Sequence, residues 1–455
     1  MQKINAKRWL SGILAAILLL AVFPLGTFAE EGDLTITTKE ELLQFAQSVS
    51  GGESYTGKTV VLAANLSLAG EDFAGIGSSA APFKGTFDGQ NHIVSDLSSS
   101  VGFFADVNGG TVKNLIVRGM VNGASNIAGV VGKLTAGAVQ NCGNEASVSG
   151  GANVGGVVGS VNGDCTVSGC YNSGAVSGTT GYIGGVTGQH WRAGTVENCY
   201  NIGTVSGPAT VGGITGGHKA SSPVLRNCYS AGTVVDTAGN QNNIGAVIGA
   251  TRGTNENCYF LSGCGTNDKT GITEVSSLSA SQLGDAFKAD EDGINGGLPV
   301  FAWQIRQPDL IITTYEALKS FAEAVSGGES YEGKLVRLGA NITLGGESSP
   351  WTPIGTASAP FKGTFDGGYH VIDGMEIASG SAVGFFGAVN GGTVKNLIVA
   401  GKVNGATDVG GVVGKLTAAT VQNCGNEATV SGGANVGGVV GGVNGDCTVS
   451  GCYNK

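Results

Sequence analysis

The chain has 455 residues, of which 82 are glycine and only 13% are charged, and its net charge is −10. Such glycine content would suit a disordered or collagen-like chain, but no Gly-X-Y period runs through it, proline numbers only 9, and 41% of the residues are hydrophobic; the chain is therefore expected to fold. Its acidic balance argues against nucleic acid or an anionic membrane as a partner, because phosphates recruit basic surfaces.

Lys3, Lys7 and Arg8 precede the apolar run WLSGILAAILLLAVF, which is followed by PLGTFAEE. A basic start, an apolar centre and a small-residue cleavage point make an export signal over residues 1–29, cut after Ala29. The run is short for a membrane span of about 20 residues. Loss of its three basic residues leaves −13 on residues 30–455. The mature protein is expected to be extracellular, secreted or held at the cell surface.

From residue 33 onward the chain repeats itself at two scales. DLTITTKEELLQFAQSVSGGESYTGK from Asp33 returns as DLIITTYEALKSFAEAVSGGESYEGK from Asp309, APFKGTFDG from Ala81 returns from Ala359, and GGTVKNLIV from Gly109 returns from Gly391. Two near-copies follow, residues 30–308 and 309–455, the second stopping short of the coils that end the first. Each opens on a helical pattern. In the first, Thr38 and Glu41 form a capping box, Leu42, Phe45 and Val49 share one face, and glycines stop the helix, which predicts a helix over about 38–49 and a counterpart near Tyr315.

Within the first copy a shorter phrase recurs: NIAGVVGKL, NVGGVVGSV, YIGGVTGQH, TVGGITGGH and NIGAVIGAT, with Ala128, Gly155, Gly184, Gly212 and Gly245 in equivalent places. Steps of 27, 29, 28 and 33 residues mark one structural unit per phrase. Cys142, Cys170, Cys199, Cys228 and Cys258 keep the same beat. The apolar pieces are three to five residues long, rich in Val, Thr and Ile and bounded by Gly, Asn and Ser; these read as short strands, not helices. About three strands per unit fit one coil of an all-β, right-handed parallel β-helix, whose coils stack about 4.8 Å apart. The repeated coils span about 101–262. Glycines are expected to turn left-handed corners and to let backbones approach. The opening helices are expected to cover the solenoid ends, where bare strand edges would invite aggregation. Residues of about 275–307, a helix and then an apolar strand, are expected to cap the first copy at its far end.

The NVGGVVG…VSGCYNSGAVSG units resemble GLUG-motif repeats of bacterial surface proteins. PFKGTFDGQNHIV…VGFFADVNGGTVKNLIV is similar to the coils that introduce such repeats, and INGGLPVFAWQ to the segment that ends them. The resemblance covers nearly all of residues 33–455. It implies a β-helical surface or secreted protein, adhesion being one role in the family. Some members carry IgA-specific metallopeptidase domains, but a His-Glu-x-x-His motif is absent from this chain.

The chemistry-bearing residues point away from catalysis. The four histidines, His92, His190, His218 and His370, include no pair close in sequence; His92 and His370 follow TFDG and read as turn residues. Asp88 and Asp366 are the only patterned acids and read as turn carboxylates satisfying local N–H groups. Asp164, Glu197, Asp236 and Glu256 are scattered, with no repeating partner. DEDGING from Asp290 puts Ile294 and Phe301 where a calcium loop needs oxygen ligands. No metal and no cofactor is expected.

Ten cysteines in an exported chain allow disulfides, with Cys165–Cys170 and Cys258–Cys264 as local options. The alternative is an inward column of free thiols at Cys142, Cys170, Cys199, Cys228 and Cys258. Asn141, Asn198, Asn227 and Asn257, each just before one of these cysteines, are expected to stack at a bend with their amides bonded coil to coil, a row that Gly169 interrupts. With cysteine inward, alternation sends Tyr171, Tyr200, Tyr229 and Tyr259 outward. Such a strip either packs on sugar rings or shields the sheet. The functional expectation is a non-enzymatic, exported surface repeat protein that adheres to glycans or to host or bacterial surface proteins. A structural spacer presenting another domain and a β-helical polysaccharide lyase or glycoside hydrolase are the alternatives.

Overall fold

A computed structural model describes residues 34–239, 243–266, 269–290, 293–305, 308–345 and 350–455. The export signal read over residues 1–29 lies outside the described residues. Among the described residues no helix is long and apolar enough to cross a membrane. The chain divides into two compact units, residues 1–305 and 306–455, each a parallel β-helix.

Short β-branched runs become rungs because each finds its own equivalent one coil on. Thr187–His190 pairs in parallel with Val158–Asn162 on one side and Thr215–His218 on the other. Val167, Val196 and Leu225 stand in register, as do Tyr171, Tyr200, Tyr229 and Tyr259. The second unit shows the coil's three faces as three separate parallel sheets. In the first unit, one face is a six-stranded sheet and a larger sheet wraps the others. Inward side chains such as Val196, Cys199 and Val205 are fully buried.

The N-terminal helix is Lys39–Ser50, with both halves of the capping box made: Thr38 Oγ1 accepts from the Glu41 N–H at 3.2 Å and Glu41 Oε2 accepts from the Thr38 N–H at 3.1 Å. Its Leu42, Phe45 and Val49 are buried, and Phe45 packs on Phe83 and Phe87 of the first coils. Tyr315–Ser326 repeats the arrangement in the second unit, with Phe321 against Phe361 and Phe365. The segment after the last coil departs from the expected end cap. Ile272–Val275 adds a rung beside Cys258–Leu261. The chain then turns through the short helix Ala280–Leu283 and an antiparallel pair, Phe287–Lys288 with Val300–Phe301, that lies along the side of the coils.

Two long asparagine columns run through the first unit, beside a shorter pair in which Asn153 bonds Asn126 at 2.9 Å. The expected one sits at the bend before each cysteine: Asn141, Asn198, Asn227 and Asn257 all hold a left-handed backbone with φ of 50 to 52°. Their amides bond coil to coil, Asn227 to Asn198 at 3.3 Å and Asn257 to Asn227 at 2.9 Å. The column begins on Asp88, which accepts from Asn114 at 2.9 Å, and Asn114 accepts from Asn141 at 3.2 Å. Gly169 interrupts the row as expected, with φ of 63°. In the second unit Asp366 starts the same column through Asn396 and Asn423.

The second column is fully buried. Asn144 Nδ2 donates to Asn172 Oδ1 at 2.6 Å, and Asn172 Nδ2 to Asn201 Oδ1 at 2.7 Å. Each amide also closes its own turn, bonding Ala146 O, Gly174 O and Gly203 O at 2.8 to 2.9 Å. This column sets the glycines of the repeated phrase. A Cβ on Gly156 would lie 2.1 Å from Gly185 O and 2.2 Å from Asn172 Oδ1. Here the glycine serves close approach, and the left-handed corner before a ladder cysteine falls to asparagine except at Gly169; elsewhere glycines such as Gly109, Gly163 and Gly194 do turn left-handed corners, as expected.

The buried column ends at Ser230, whose hydroxyl is buried without a protein partner. Replacing Asn172 with Ala should therefore lower the unfolding free energy measured by urea titration by roughly 2–4 kcal/mol, since it strands buried partners above and below. Ser230→Asn should raise stability by about 1 kcal/mol by giving Asn201 Nδ2 an acceptor and Gly232 O a donor. A neutral or destabilising Ser230→Asn would show that the column does not extend in this way.

Candidate functional site

The ladder cysteines point inward as expected. Cys142, Cys170, Cys199 and Cys228 are fully buried and Cys258 is 1% exposed. Each Sγ lies 3.1 to 3.2 Å from the carbonyl two residues before it. Burial pushes the thiols of Cys142, Cys199 and Cys228 well up, which makes them poor nucleophiles. All ten cysteines are unpaired, including Cys165 and Cys264.

The tyrosines do lie opposite the cysteines, but three of them do not reach solvent. Tyr171, Tyr200 and Tyr229 are 5%, 1% and 0% exposed. They stack face to face, at centroid separations of 5.4 and 5.0 Å. The antiparallel segment after the last coil covers them: Phe301 packs on Tyr200, Phe287 on Tyr229 and Trp303 on Tyr171. Gln304 Nε2 donates to the Tyr200 hydroxyl at 2.6 Å and Asn295 Nδ2 to the Tyr229 hydroxyl at 2.7 Å. Burial raises the phenol pKa of all three. Tyr259 is half-buried at the edge of the same cluster. The column therefore shields the sheet and anchors the segment around 275–305; it is not an open sugar platform. Asp290 belongs to this clasp, accepting from the N–H groups of Ile294, Asn295 and Gly297 at 2.7 to 2.9 Å.

Asp88 and Asp366 are also structural. Besides starting the asparagine columns, they accept from the N–H groups of Gln90 and Gly368 at 3.0 Å and pair with Lys113 and Arg337. His92 and His370 sit in equivalent turns, with Nδ1 3.2 Å from Asn65 Oδ1 and Asn341 Oδ1. Among the described residues no group of three or more His, Cys, Asp or Glu side chains is placed to hold a metal.

What the sequence reading passed over lies at one corner of coils three to five. His190 and His218, 28 residues apart, are one coil apart in register, with ring centroids separated by 5.5 Å. They continue an inward column that Leu134 and Val161 occupy in earlier coils. Both are buried; neither His190 nitrogen nor His218 Nε2 has a protein partner, while His218 Nδ1 lies 3.4 Å from Thr251 Oγ1. Burial drives their pKa down, to about 4 for His190 and, with His190 beside it, to about 3 for His218. Immediately after this inward pair the chain emerges. Trp191 is 44% exposed, and the Lys219 ammonium lies 4.3 Å from its ring centroid and 5.3 Å from that of Tyr182. Lys219 N–H bonds His190 O, and Arg252 holds the equivalent position on the next coil. The repeated phrases carried this signal one residue further on, as TGQHW, TGGHK and IGATR.

The chain is thus an all-β protein of two parallel β-helical units, the first of which exposes Trp191 at a coil corner. No protein-family model matches the chain, and no curated protein matches it. Among solved structures it is similar to an immunoglobulin A1 protease candidate from Bacteroides ovatus, at 21% identity and a TM-score of 0.48 over 61% of this chain and 94% of that one. It is also similar to the PL6 family alginate lyase AlyGC, at 11% identity and a TM-score of 0.16 over 92% of this chain and 89% of that one. Neither likeness carries an argument about this chain's chemistry.

Two outcomes follow from the buried side chains. Denatured, unreduced protein should titrate ten thiols; a deficit of two or more would establish a disulfide. The histidine pair should make the fold acid-sensitive. Above the unfolded histidine value of 6.5 both states are neutral and the full stability is present. As pH falls, the unfolded chain takes up protons that the folded pair refuses until about 4 and about 3, so stability is lost through that window, about 2 kcal/mol per histidine by pH 5. His190→Leu with His218→Leu should narrow the difference in urea midpoint between pH 8 and pH 5; an unchanged difference would remove the pair as its source.

Proposed function

We propose that this chain is an exported, non-enzymatic surface protein of the GLUG-motif repeat type that adheres to glycan-bearing surfaces through the corner formed by Tyr182, Trp191 and Lys219. The observation that carries the reading is the exposure of Trp191 beside Tyr182 on a scaffold that buries most of its other large aromatic side chains. The Lys219 ammonium lies over one face of the Trp191 ring; the opposite face is the one to pack on the C–H face of a sugar, and the cation adds hydrogen bonds to hydroxyl or carboxylate oxygens. The non-enzymatic part is supported by the engagement of Asp88 and Asp366, the patterned acids, in columns and ion pairs.

The tyrosine column cannot serve as the binding face while the clasp covers it. Binding should therefore follow the corner and not the column. On a glycan array, Trp191→Ala should reduce retention about tenfold or more while leaving the thermal midpoint within a degree or two, as a surface substitution does. Tyr200→Ala should instead lower the midpoint, since truncating a buried aromatic costs on the order of 3–5 kcal/mol. Binding that survives Trp191→Ala would place the adhesive surface elsewhere, and release of unsaturated or reducing ends from a polysaccharide panel would replace adhesion by enzymatic action.

A further inference from the structure

The charges around Trp191 specify more than a sugar. Elsewhere in the coils, basic side chains meet acids one coil away: Lys113 with Asp88 at 3.2 Å, Lys133 with Asp106 at 3.0 Å, Arg118 with Glu145 and Arg226 with Glu197 at 2.6 Å. At the corner this matching stops. Arg192, Lys219 and Arg252 are exposed, and none makes an ion pair with a described acid. Trp191, Lys219 and Arg252 follow His190, His218 and Thr251 on three successive coils, so an aromatic ring and two cations are strung along the solenoid axis at the spacing of the coils.

Beyond Lys219 the corner opens into a polar cleft lined by Thr251, Gly253, Thr254, Asn255, Lys269 and Thr270. Arg252 lies between two of its lining residues in the chain. Asn255 Oδ1 is buried there without a protein partner, while its amide nitrogen lies 3.3 Å from Thr251 Oγ1. The cleft thus offers threonine hydroxyls next to the cationic column.

We propose that the ligand of this corner is an acidic polysaccharide, a chain of pyranose rings bearing carboxylates, lying along the solenoid axis with a ring on Trp191, acid groups on Lys219 and Arg252, and hydroxyls in the Asn255 cleft. This rests on the glycan-binding reading and narrows it. The coil spacing is close to the length of one pyranose, so successive sugars meet successive coils. The protein's overall negative charge does not forbid it: at physiological ionic strength charges more than about 8 Å away are largely screened, and the local cations dominate. A polyanion without rings would satisfy the cations but leave Trp191 idle, and a neutral glycan would do the reverse.

The test measures binding of the full chain to four immobilised probes: polygalacturonate, dextran, poly-L-glutamate and phosphatidylserine vesicles. Polygalacturonate should bind at least tenfold more tightly than the other three, with affinity falling as salt rises. Trp191→Ala and the pair Lys219→Gln with Arg252→Gln should each weaken it about tenfold, and only the cation pair should flatten the salt dependence. Thermal midpoints close to the parent establish that the variants fold. Equal binding to dextran would overturn the acidic specificity while leaving the glycan reading intact. Equal binding to poly-L-glutamate or to vesicles, untouched by Trp191→Ala, would reduce the corner to a polyanion patch. Binding to none of the four, with no glycan retained on an array, would overturn both readings.

Discussion

Everything in these solenoids depends on one constraint: each residue sits directly on its own equivalent, one coil below. Apolar side chains accept that arrangement without condition. A buried polar side chain accepts it only if it can be donor to one copy of itself and acceptor from another at the same time. Asparagine meets the requirement, because its amide offers an oxygen on one side and two N–H groups on the other. In Asn144 and Asn172 one N–H goes to the next coil and the other to the residue's own turn, while Asn201, the last of the column, donates only to its own turn. Polarity at the centre of the coil therefore specifies register: a slip of one residue would leave every amide in the column unpaired.

Part of the glycine content follows from that column, beside the glycines that hold a left-handed backbone. The amides stand where the next strand must pass, and only a residue without a side chain clears them. Gly156, Gly185 and, in the second unit, Gly411 and Gly438 all lie where a Cβ would strike an amide of the column, within 2.5 Å. The low charge has a related origin. Like charges stacked one coil apart repel, so the coils alternate sign along a column, as with Asp88 and Lys113 or Glu197 and Arg226.

Much of this was legible in the sequence, and the limits of legibility have physical causes. The coil period, the cap helix with its Thr38–Glu41 box, the inward cysteines and the stacked Asn141, Asn198, Asn227 and Asn257 all follow from local pattern. Alternation also placed Tyr171, Tyr200 and Tyr229 on the outer side correctly. It could not show that they are covered, because the cover comes from Phe287, Phe301 and Trp303, well over fifty residues further along the chain, and no periodicity links those to the coils. The His190–His218 contact was hidden for the opposite reason. In an ordinary fold residues 28 apart carry no presumption of contact; here 28 is one coil, and the pair became visible only once the phrase was aligned past its glycines.

That corner is also where the repeat stops being indifferent to its own stability. In the earlier coils the inward position holds Leu134 and Val161 and the outward one Thr135 and Asn162. From the third coil the inward side chain becomes histidine, buried with little or no protein partner to hydrogen-bond, and the outward side chain becomes Trp191, then Lys219, then Arg252. Neither change helps a coil stack. Buried imidazoles lose hydration and make the fold acid-sensitive, and an exposed tryptophan surrenders apolar area to water. Local departures that weaken the scaffold at several positions at once, on the same corner of consecutive coils, are what a functional site looks like in a repeat protein, where every other coil shows what stability alone would have chosen.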